Sequence, residues 1–317
     1  MPASYAYLQK RIVPLEEAKV SVMTHAFLYG TAVFEGVRGN WSDERGATLL
    51  FRPVEHFERL KMSSHIMHIS LPQSGKELTD ITAQVVAKCG FREDVYIRPI
   101  AYKSGQVIGP KLDGVEDDFM VFVIPFGNYL DLDAGIRCQT STWRRVPDTS
   151  IPARAKVNGL YVNSALAKTE AVENGFDEAI MLNDDGHVSE GSGENLVMVR
   201  HGRLITPSRS DNVLEGITLD SVFELAKQEL GLEVIERTID RSELYIADEV
   251  FLTGTAAHLS PVTEVDRRAV GGGEIGPITR KLQSMFFDAI RGRNEKYEHW
   301  VTAVKPAAEP AAVKANA

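Results

Sequence analysis

The sequence predicts an α+β protein of two domains, and three observations predict it. First, 317 residues exceed the roughly 100–200 typical of one domain. Second, β-branched and aromatic runs alternate with segments of helical periodicity along the whole chain. Third, a stretch rich in Gly, Asn and Asp at 127–135 interrupts this pattern and marks a boundary. Hydrophobic residues at 44% and charged residues at 25% match an ordinary folded chain and exclude disordered, collagen-like and coiled-coil classes.

The elements follow in order. The text FRPVEHFERLKMSSHIM at 51–67 carries Val54, Phe57, Leu60 and Met67 at near-helical spacing with charges between them, so it reads as an amphipathic helix. VYIRPIAY at 95–102 and DFMVFVIPF at 118–126 read as strands, separated by Gly105, Gly109, Pro110 and Gly114. A strand-like IRCQTSTW follows the boundary. A helix is expected at 160–174, closed by Gly175, then strands at 178–182 and 195–205 around the turn HGR. The clearest helix is 218–230, with Leu219, Val222, Phe223, Ala226 and Leu230 on one face and Gly231 as its stop. A strand (EVIERTI), a short helix (RSELYIA), a strand (EVFLTG) and a last helix at 278–290 complete the pattern. The division expected is 1–127, a connecting loop at 128–136, 137–304, and a disordered Pro/Ala-rich tail at 305–317.

A net charge of −9 argues against a nucleic-acid or anionic-membrane partner. Cys89 and Cys138 have no CxxC spacing and no companion histidines, so neither a disulfide framework nor a metal site is expected, and a reducing cytoplasm suits the chain. Lys10, Arg11, Glu16 and Glu17 stand where a secretion signal needs an apolar core. The longest strongly apolar run, 119–126, has eight residues against the ~20 that cross a bilayer.

Four constellations carry chemistry. Lys156, in IPARAKVNGLY, ends a strand-like segment between Ala155 and Val157, a small apolar setting that favours a nucleophilic amine; a lysine snorkelling from the surface is the plainer alternative. SEGSGEN at 189–195 is a permissive turn with two acids, Glu190 and Glu194, that presses carboxylates against a ring or else leaves them solvated. Glu215-Gly216-Ile217-Thr218 opens a helix and offers free amides and a hydroxyl to a phosphate, or simply caps the helix with Thr218; Gly254-Thr255-Ala256-Ala257 offers a second set of amides. Arg59, Arg38 and Arg98 stand in apolar text and call for anions, either a ligand or an internal acid, and Tyr29, Phe34, Tyr96 and Tyr129 are candidates for an apolar pocket or for plain core.

In order and spacing, HAFLYGTAVFEGVRG, FRPVEHFERL, VYIRP, IPARAKVNGLYVNS, SEGSGENL, LEGIT, ADEVFLTGTAA and GPIT resemble the branched-chain amino-acid aminotransferases of the fold-type IV pyridoxal-phosphate enzymes, from about residue 7 to residue 290. The resemblance implies a small N-terminal α/β domain, a larger barrel-like C-terminal domain, a loop over the active site and at least a homodimer. It implies pyridoxal 5'-phosphate as cofactor, bound to Lys156 as a Schiff base, with Glu190 facing the pyridine nitrogen, Tyr161 the phenolic oxygen, and Arg59, Ile217, Thr218 and Thr255 the phosphate. It further implies a substrate pocket walled by Phe34, Tyr96, Tyr129 and the partner's Tyr29, with Arg98 reached by the longer acid, Tyr96 and the amides near Ala256 and Ala257 on the substrate carboxylate, and Arg38 as a brace. The activity implied is transfer of the amino group from L-leucine, L-isoleucine or L-valine to 2-oxoglutarate.

Two positions depart from the family pattern. Leu219 stands where an arginine is frequent and His258 where a glutamate is frequent; His258 is expected behind the pocket or at the surface. Relaxed or shifted specificity toward D-amino acids or (R)-primary amines is the alternative, and Tyr96-x-Arg98 with the GTAA turn favours the branched-chain type. A catalytically silent binding protein would have lost Lys156 or Glu190, and both are present.

Overall fold

The structure is a computed structural model that describes residues 3–127, 130 and 132–307; Tyr129 and all but the first three residues of the expected tail lie outside the described residues. It is α+β, built on two sheets. The first contains β1 (Tyr5–Leu8), β2 (Arg11–Pro14), β3 (Ala32–Phe34), β4 (Val37–Ser42), β5 (Ala47–Phe51), β6 (Val95–Lys103) and β7 (Asp117–Pro125). Helices α1 (His25–Tyr29), α2 (Pro53–Ile66) and α3 (Gly75–Cys89) belong to the same half. The second sheet contains β8 (Ile136–Arg144), β9 (Glu178–Leu182), β10 (Val188–Gly191), β11 (Asn195–Arg200), β12 (Arg203–Thr206), β13 (Val234–Glu236), β14 (Glu249–Gly254), β15 (His258–Val265) and β16 (Arg268–Ala269). With it go α4 (Tyr161–Glu173), α5 (Ile217–Leu230) and α6 (Pro277–Ile290), and β17 (Val301–Val304) follows.

In the first sheet the order is β17-β5-β4-β6-β7-β1-β2, with β3 also on β6. The strand β17 pairs antiparallel with β5, Val301 opposite Phe51. The end of the 137–304 span therefore returns to the N-terminal sheet rather than finishing in the second half. Trp300 packs edge-on to Phe51 at 5.9 Å and is buried, which gives the returning strand an apolar anchor.

Helix α3 went unread in the sequence. Ser74 and Glu77 form a reciprocal capping box at its start and Gly90 closes it in the left-handed region, but its buried stripe alternates Leu78, Val85 and Val86 with Thr79 and Thr82, which weakens the apolar signal. Helix α2 forms as expected and buries Phe57 and Leu60, yet Val54 points outward at 41% exposure. Together α2 and α3 bury Phe57, Leu60, Leu78 and Val85 against Val121 and Val123 of β7. Burying a side chain of this size stabilises the fold by roughly 1.5–3 kcal/mol.

The second sheet runs β10-β9-β8-β15-β14-β11-β12-β13 and mixes parallel with antiparallel pairs. The Gly191 N–H reaches the Glu194 carbonyl at 2.7 Å, so edge strand β10 meets the start of β11 and the sheet curls back on itself. One of its faces packs Phe251 on α5 and α6, through Val222, Leu225 and Phe286, and the other buries Ile180, Leu244 and Leu252.

Between the sheets, the segment before α4 is stitched to both halves. The Lys156 carbonyl accepts from Phe34 N–H at 3.0 Å, the Lys156 N–H donates to Ser63 Oγ at 3.2 Å, and Val157 bridges Val33. No strand precedes Lys156, contrary to the sequence reading. A turn with this single bridge holds it, and the short helical turn Asn158–Leu160 leads into α4. Both cysteines are buried and free.

Candidate active site

Lys156 and Tyr161 are brought together by that turn. The Lys156 Nζ donates to the Tyr161 hydroxyl at 2.6 Å and lies 5.0 Å from the centre of the Phe34 ring, which meets Tyr161 edge-on at 4.8 Å. The amine is half-buried, with aromatic faces on two sides, rather than snorkelling into solvent.

Glu190 sits on β10 with 6% exposure. One oxygen pairs with Arg145 at 2.6 Å, and the other accepts from Asn195 Nδ2 at 3.0 Å and Leu214 N–H at 3.1 Å. Burial raises the carboxyl above its usual range, and Arg145 and the Leu214 amide offset only part of that rise. Lys156, Tyr161, Glu190, Arg145 and Asn195 line one cavity of about 30 Å³. The decisive pair, amine and buried acid, thus shares a single enclosure. Glu194 is buried too, at 6%, so neither acid of the SEGSGEN turn is solvated. The curl of the sheet, rather than the turn itself, buries them.

At the start of α5 no side chain caps the helix, and Gly216 precedes Ile217 and Thr218, which are both buried. A Cβ at Gly216 would run into Asn195 Oδ1, so the turn admits no side chain there. Arg59 reaches this turn from α2, its Nη1 donating to the Glu215 carbonyl at 2.6 Å. Its Nε and Nη2 each donate to Glu35 at 2.7 Å, and His56 Nδ1 meets the same carboxylate at 2.8 Å. Glu35 is fully buried; burial pushes it up, but Arg59 and His56 overcome this and hold it down at about 2.

A larger cavity of about 540 Å³ opens beside Lys156, and Phe34, Tyr96, Arg98, Phe126, Thr255 and Ala256 are among its walls. Arg98 finds no anion among the described residues. Its Nη2 donates to the Tyr96 hydroxyl at 2.9 Å and its guanidinium stacks on Phe34 at 4.2 Å. Ala257 is buried behind the turn. Arg38 is 2% exposed, donates from Nη2 to the Gly127 carbonyl at 2.8 Å, and has no partner for Nε or Nη1 among the described residues.

Tyr29 is not part of this chain's own cavity: it is 39% exposed and its hydroxyl accepts from the Gly109 N–H at 2.8 Å. His258 is not at the surface but 3% exposed, in the left-handed region at φ 55°, 5.2 Å from the Phe287 ring. Burial, and then the charge of Arg38, pushes it down to about 3, so it is a neutral ring behind the pocket. Leu219 lines a separate cavity of about 260 Å³ with Ile217 and Phe223.

Sequence reasoning missed Arg145, Glu35 and His56. Arg145 and Glu35 are the partners of residues it found, Glu190 and Arg59, and His56 in turn meets Glu35; a buried acid or arginine does demand an opposite charge, but nothing in the text says which one. Among the described residues no three His, Cys, Asp or Glu side chains cluster as metal ligands, and no helix is long and apolar enough to cross a membrane.

This donor set suits a phosphorylated pyridine aldehyde: an amine for the aldehyde carbon, a buried acid for a ring nitrogen, and an uncapped helix start with an arginine for a phosphate. The comparisons agree. A family model described as amino-transferase class IV matches residues 32–265. A probable branched-chain-amino-acid aminotransferase of Aquifex aeolicus is 51% identical over 300 residues, 95% of this chain and 96% of that protein. The chain belongs to the class IV aminotransferases.

Among solved structures, the branched-chain aminotransferase of Thermoproteus uzoniensis with norvaline is similar at TM-score 0.91 and 42% identity, covering 95% of this chain and 99% of that one. The branched-chain amino acid aminotransferase of Thermobaculum terrenum, in its PLP-bound holo-form, is similar at 0.90 and 38%, covering 95% of this chain and 98% of that one. This aminotransferase acts on branched-chain amino acids, and its cofactor is pyridoxal 5'-phosphate. The sheets and helices above are thus a fold-type IV scaffold.

Proposed function

We propose that the branched-chain transamination of this enzyme runs on Lys156 and Glu190 in the cavity they share, passing the amino group of L-leucine, L-isoleucine or L-valine to 2-oxoglutarate. The single observation that carries the assignment is that shared enclosure, with Lys156 Nζ held 2.6 Å from Tyr161 and Glu190 buried among Arg145, Asn195 and the Leu214 amide. When bound, the cofactor supplies an electron sink and carries the amino group between the two half-reactions.

Lys156 would hold the cofactor through its amine, Tyr161 would meet the phenolic oxygen, Glu190 the pyridine nitrogen, and Arg59, Ile217, Thr218 and Thr255 the phosphate. Once displaced by the substrate amine, the Lys156 Nζ is the base that takes the proton from the substrate Cα. Tyr161 orients it through the hydrogen bond already formed. Glu190 would face the ring nitrogen as a carboxylate and favour a proton there; Arg145 and the Leu214 amide serve this by opposing the upward push of burial on the acid.

The substrate side chain lies against Phe34, Tyr96 and Phe126, and its carboxylate meets Tyr96 and the amides at Ala256 and Ala257. Arg98, stacked on Phe34 and, among the described residues, hydrogen-bonded only to Tyr96, keeps donors for the second carboxylate of 2-oxoglutarate. Arg38, locked onto Gly127, braces the wall.

A second copy of the chain would supply Tyr29, and the exposed Phe27 and Ile108, at 69% and 74%, support a homodimer through this face. A cytoplasmic setting and a domain division at 128–136 complete the reading. The test is keto-acid formation from L-leucine, D-alanine and (R)-phenylethylamine with 2-oxoglutarate as acceptor. L-leucine is expected to be the best donor, and a rank order with L-leucine last would overturn the specificity.

A further inference from the structure

Glu194 belongs to a group of three acids and two bases at and behind the walls of the two cavities. Glu190 takes Arg145 at 2.6 Å and Glu178, fully buried on β9, takes Lys168 of α4 at 2.6 Å. Glu194 makes no ion pair among the described residues; its Oε2 accepts a single hydrogen bond, from the Gly193 N–H at 3.1 Å. It is nonetheless 6% exposed and lines both the small cavity at Lys156 and the large one at Thr255 and Ala256. It is wedged between two glycines: a Cβ at Gly191 would meet its Oε2 at 2.9 Å and one at Gly254 its Cγ at 3.2 Å.

We propose that Glu194 is a specificity-determining residue for the acceptor half of the reaction: as the neutral acid it admits a dicarboxylate to the cavity, and as the carboxylate it turns one away. This rests on reading the cavity as the substrate site. The groups that face Glu194 are Glu178 from β9, Glu190 from β10, Lys168 from α4 and the buried Cys138 thiol from β8, with Lys156 across the cavity. Burial, and then the charge of Glu178, pushes Glu194 up to about 8, with Lys168 and the Gly193 amide only partly opposing. The acid is therefore protonated at neutral pH and ionises in mild alkali. The Cys138 thiol is pushed well up by its own burial and by Glu178 and Glu194, so it stays protonated and adds no charge.

Amino-acid donors enter as zwitterions, branched 2-oxo acids with one negative charge and 2-oxoglutarate with two. A new negative charge on the wall acts on each substrate charge separately. At an effective dielectric of about 20 and a separation of about 10 Å, each added charge weakens binding by roughly tenfold.

The experiment uses the holoenzyme and two unreactive acids, glutarate with two carboxylates and 4-methylpentanoate with one. Dissociation constants are read from the cofactor absorbance at about pH 7 and about pH 9.5, at fixed ionic strength. In the wild type, glutarate should weaken by roughly tenfold more than 4-methylpentanoate over this range. In Glu194→Gln, which is neutral at every pH, the two should weaken in parallel, and KM for 2-oxoglutarate should lose the same alkaline rise. Parallel weakening in the wild type, an arm that needs no variant, would overturn the proposal, and so would a differential that persists in Glu194→Gln. If neither acid binds at any pH, the substrate reading of the cavity fails and the proposal with it.

Discussion

Replacing Glu35 by glutamine breaks the buried ion pair that aims Arg59 at the turn before α5. In the native protein that carboxylate accepts two hydrogen bonds from Arg59, at 2.7 Å each, and one from His56 at 2.8 Å, with no exposure to solvent. Glutamine retains one acceptor oxygen but turns an amide against Arg59 or His56 donors and leaves the guanidinium without its counter-charge. The magnitude follows from the carboxyl itself. Its ordinary value of 4.5 is held down to about 2, and at about 1.4 kcal/mol for each tenfold change in proton affinity this corresponds to about 3 kcal/mol. Because the folded value is depressed, that stability is fully present above pH 4.5 and is lost as pH falls through about 2. Glu35→Gln should therefore lower the melting temperature of the cofactor-free protein at neutral pH by roughly 5 °C. At about pH 2.5 much of the difference between wild type and variant should have vanished, because the wild type is by then losing the same charge. Differential scanning calorimetry at both pH values measures this. A neutral-pH difference equivalent to less than about 1 kcal/mol would refute the reasoning, since it would mean that the pair does no more than a solvent-exposed one.

Further outcomes follow from the site. Lys156→Ala should cut transamination by at least about 10³-fold and abolish the amine-sensitive visible band while the protein still melts cooperatively; steady-state assay and absorbance together check it. Arg145→Met removes the cation that opposes the burial of Glu190, so the acid moves further up, and kcat at neutral pH should drop by roughly 10–100-fold. A pH–rate profile of that variant should recover toward alkaline pH; a flat profile would argue that Arg145 does not act through Glu190. Thr218→Val and Thr255→Val should each weaken retention of the cofactor by roughly tenfold with little change in melting temperature of the cofactor-free protein, and a spectroscopic titration with pyridoxal 5'-phosphate decides between this and a purely structural role.

Much of this enzyme was legible in its text because the signals are short-range. Helical periodicity and a glycine stop define α5 within fourteen residues, and β6 and β7 declare themselves through β-branched and aromatic runs. Lys156, the SEGSGEN turn and the Gly-Ile-Thr helix start stand out because backbone geometry and residue type act on neighbours. Helix α3 escaped because threonines dilute its buried stripe, and the strand expected before Lys156 is a turn held from outside by Phe34 and Ser63.

What the text by itself determined was the set of reactive groups and the local elements that carry them. Only the packing of distant segments decided how those groups are charged and aimed. Arg145 finds Glu190 across forty-five positions, Glu35 finds Arg59 across twenty-four, and β17 closes the first sheet beside a strand some 250 residues earlier. The burial of Glu194 depends on the curl that brings β10 back to β11. The physical reason is range: torsional preference and periodicity act over a few residues, whereas desolvation and Coulomb pairing depend on what fills the next few ångströms, and that is set by the whole fold.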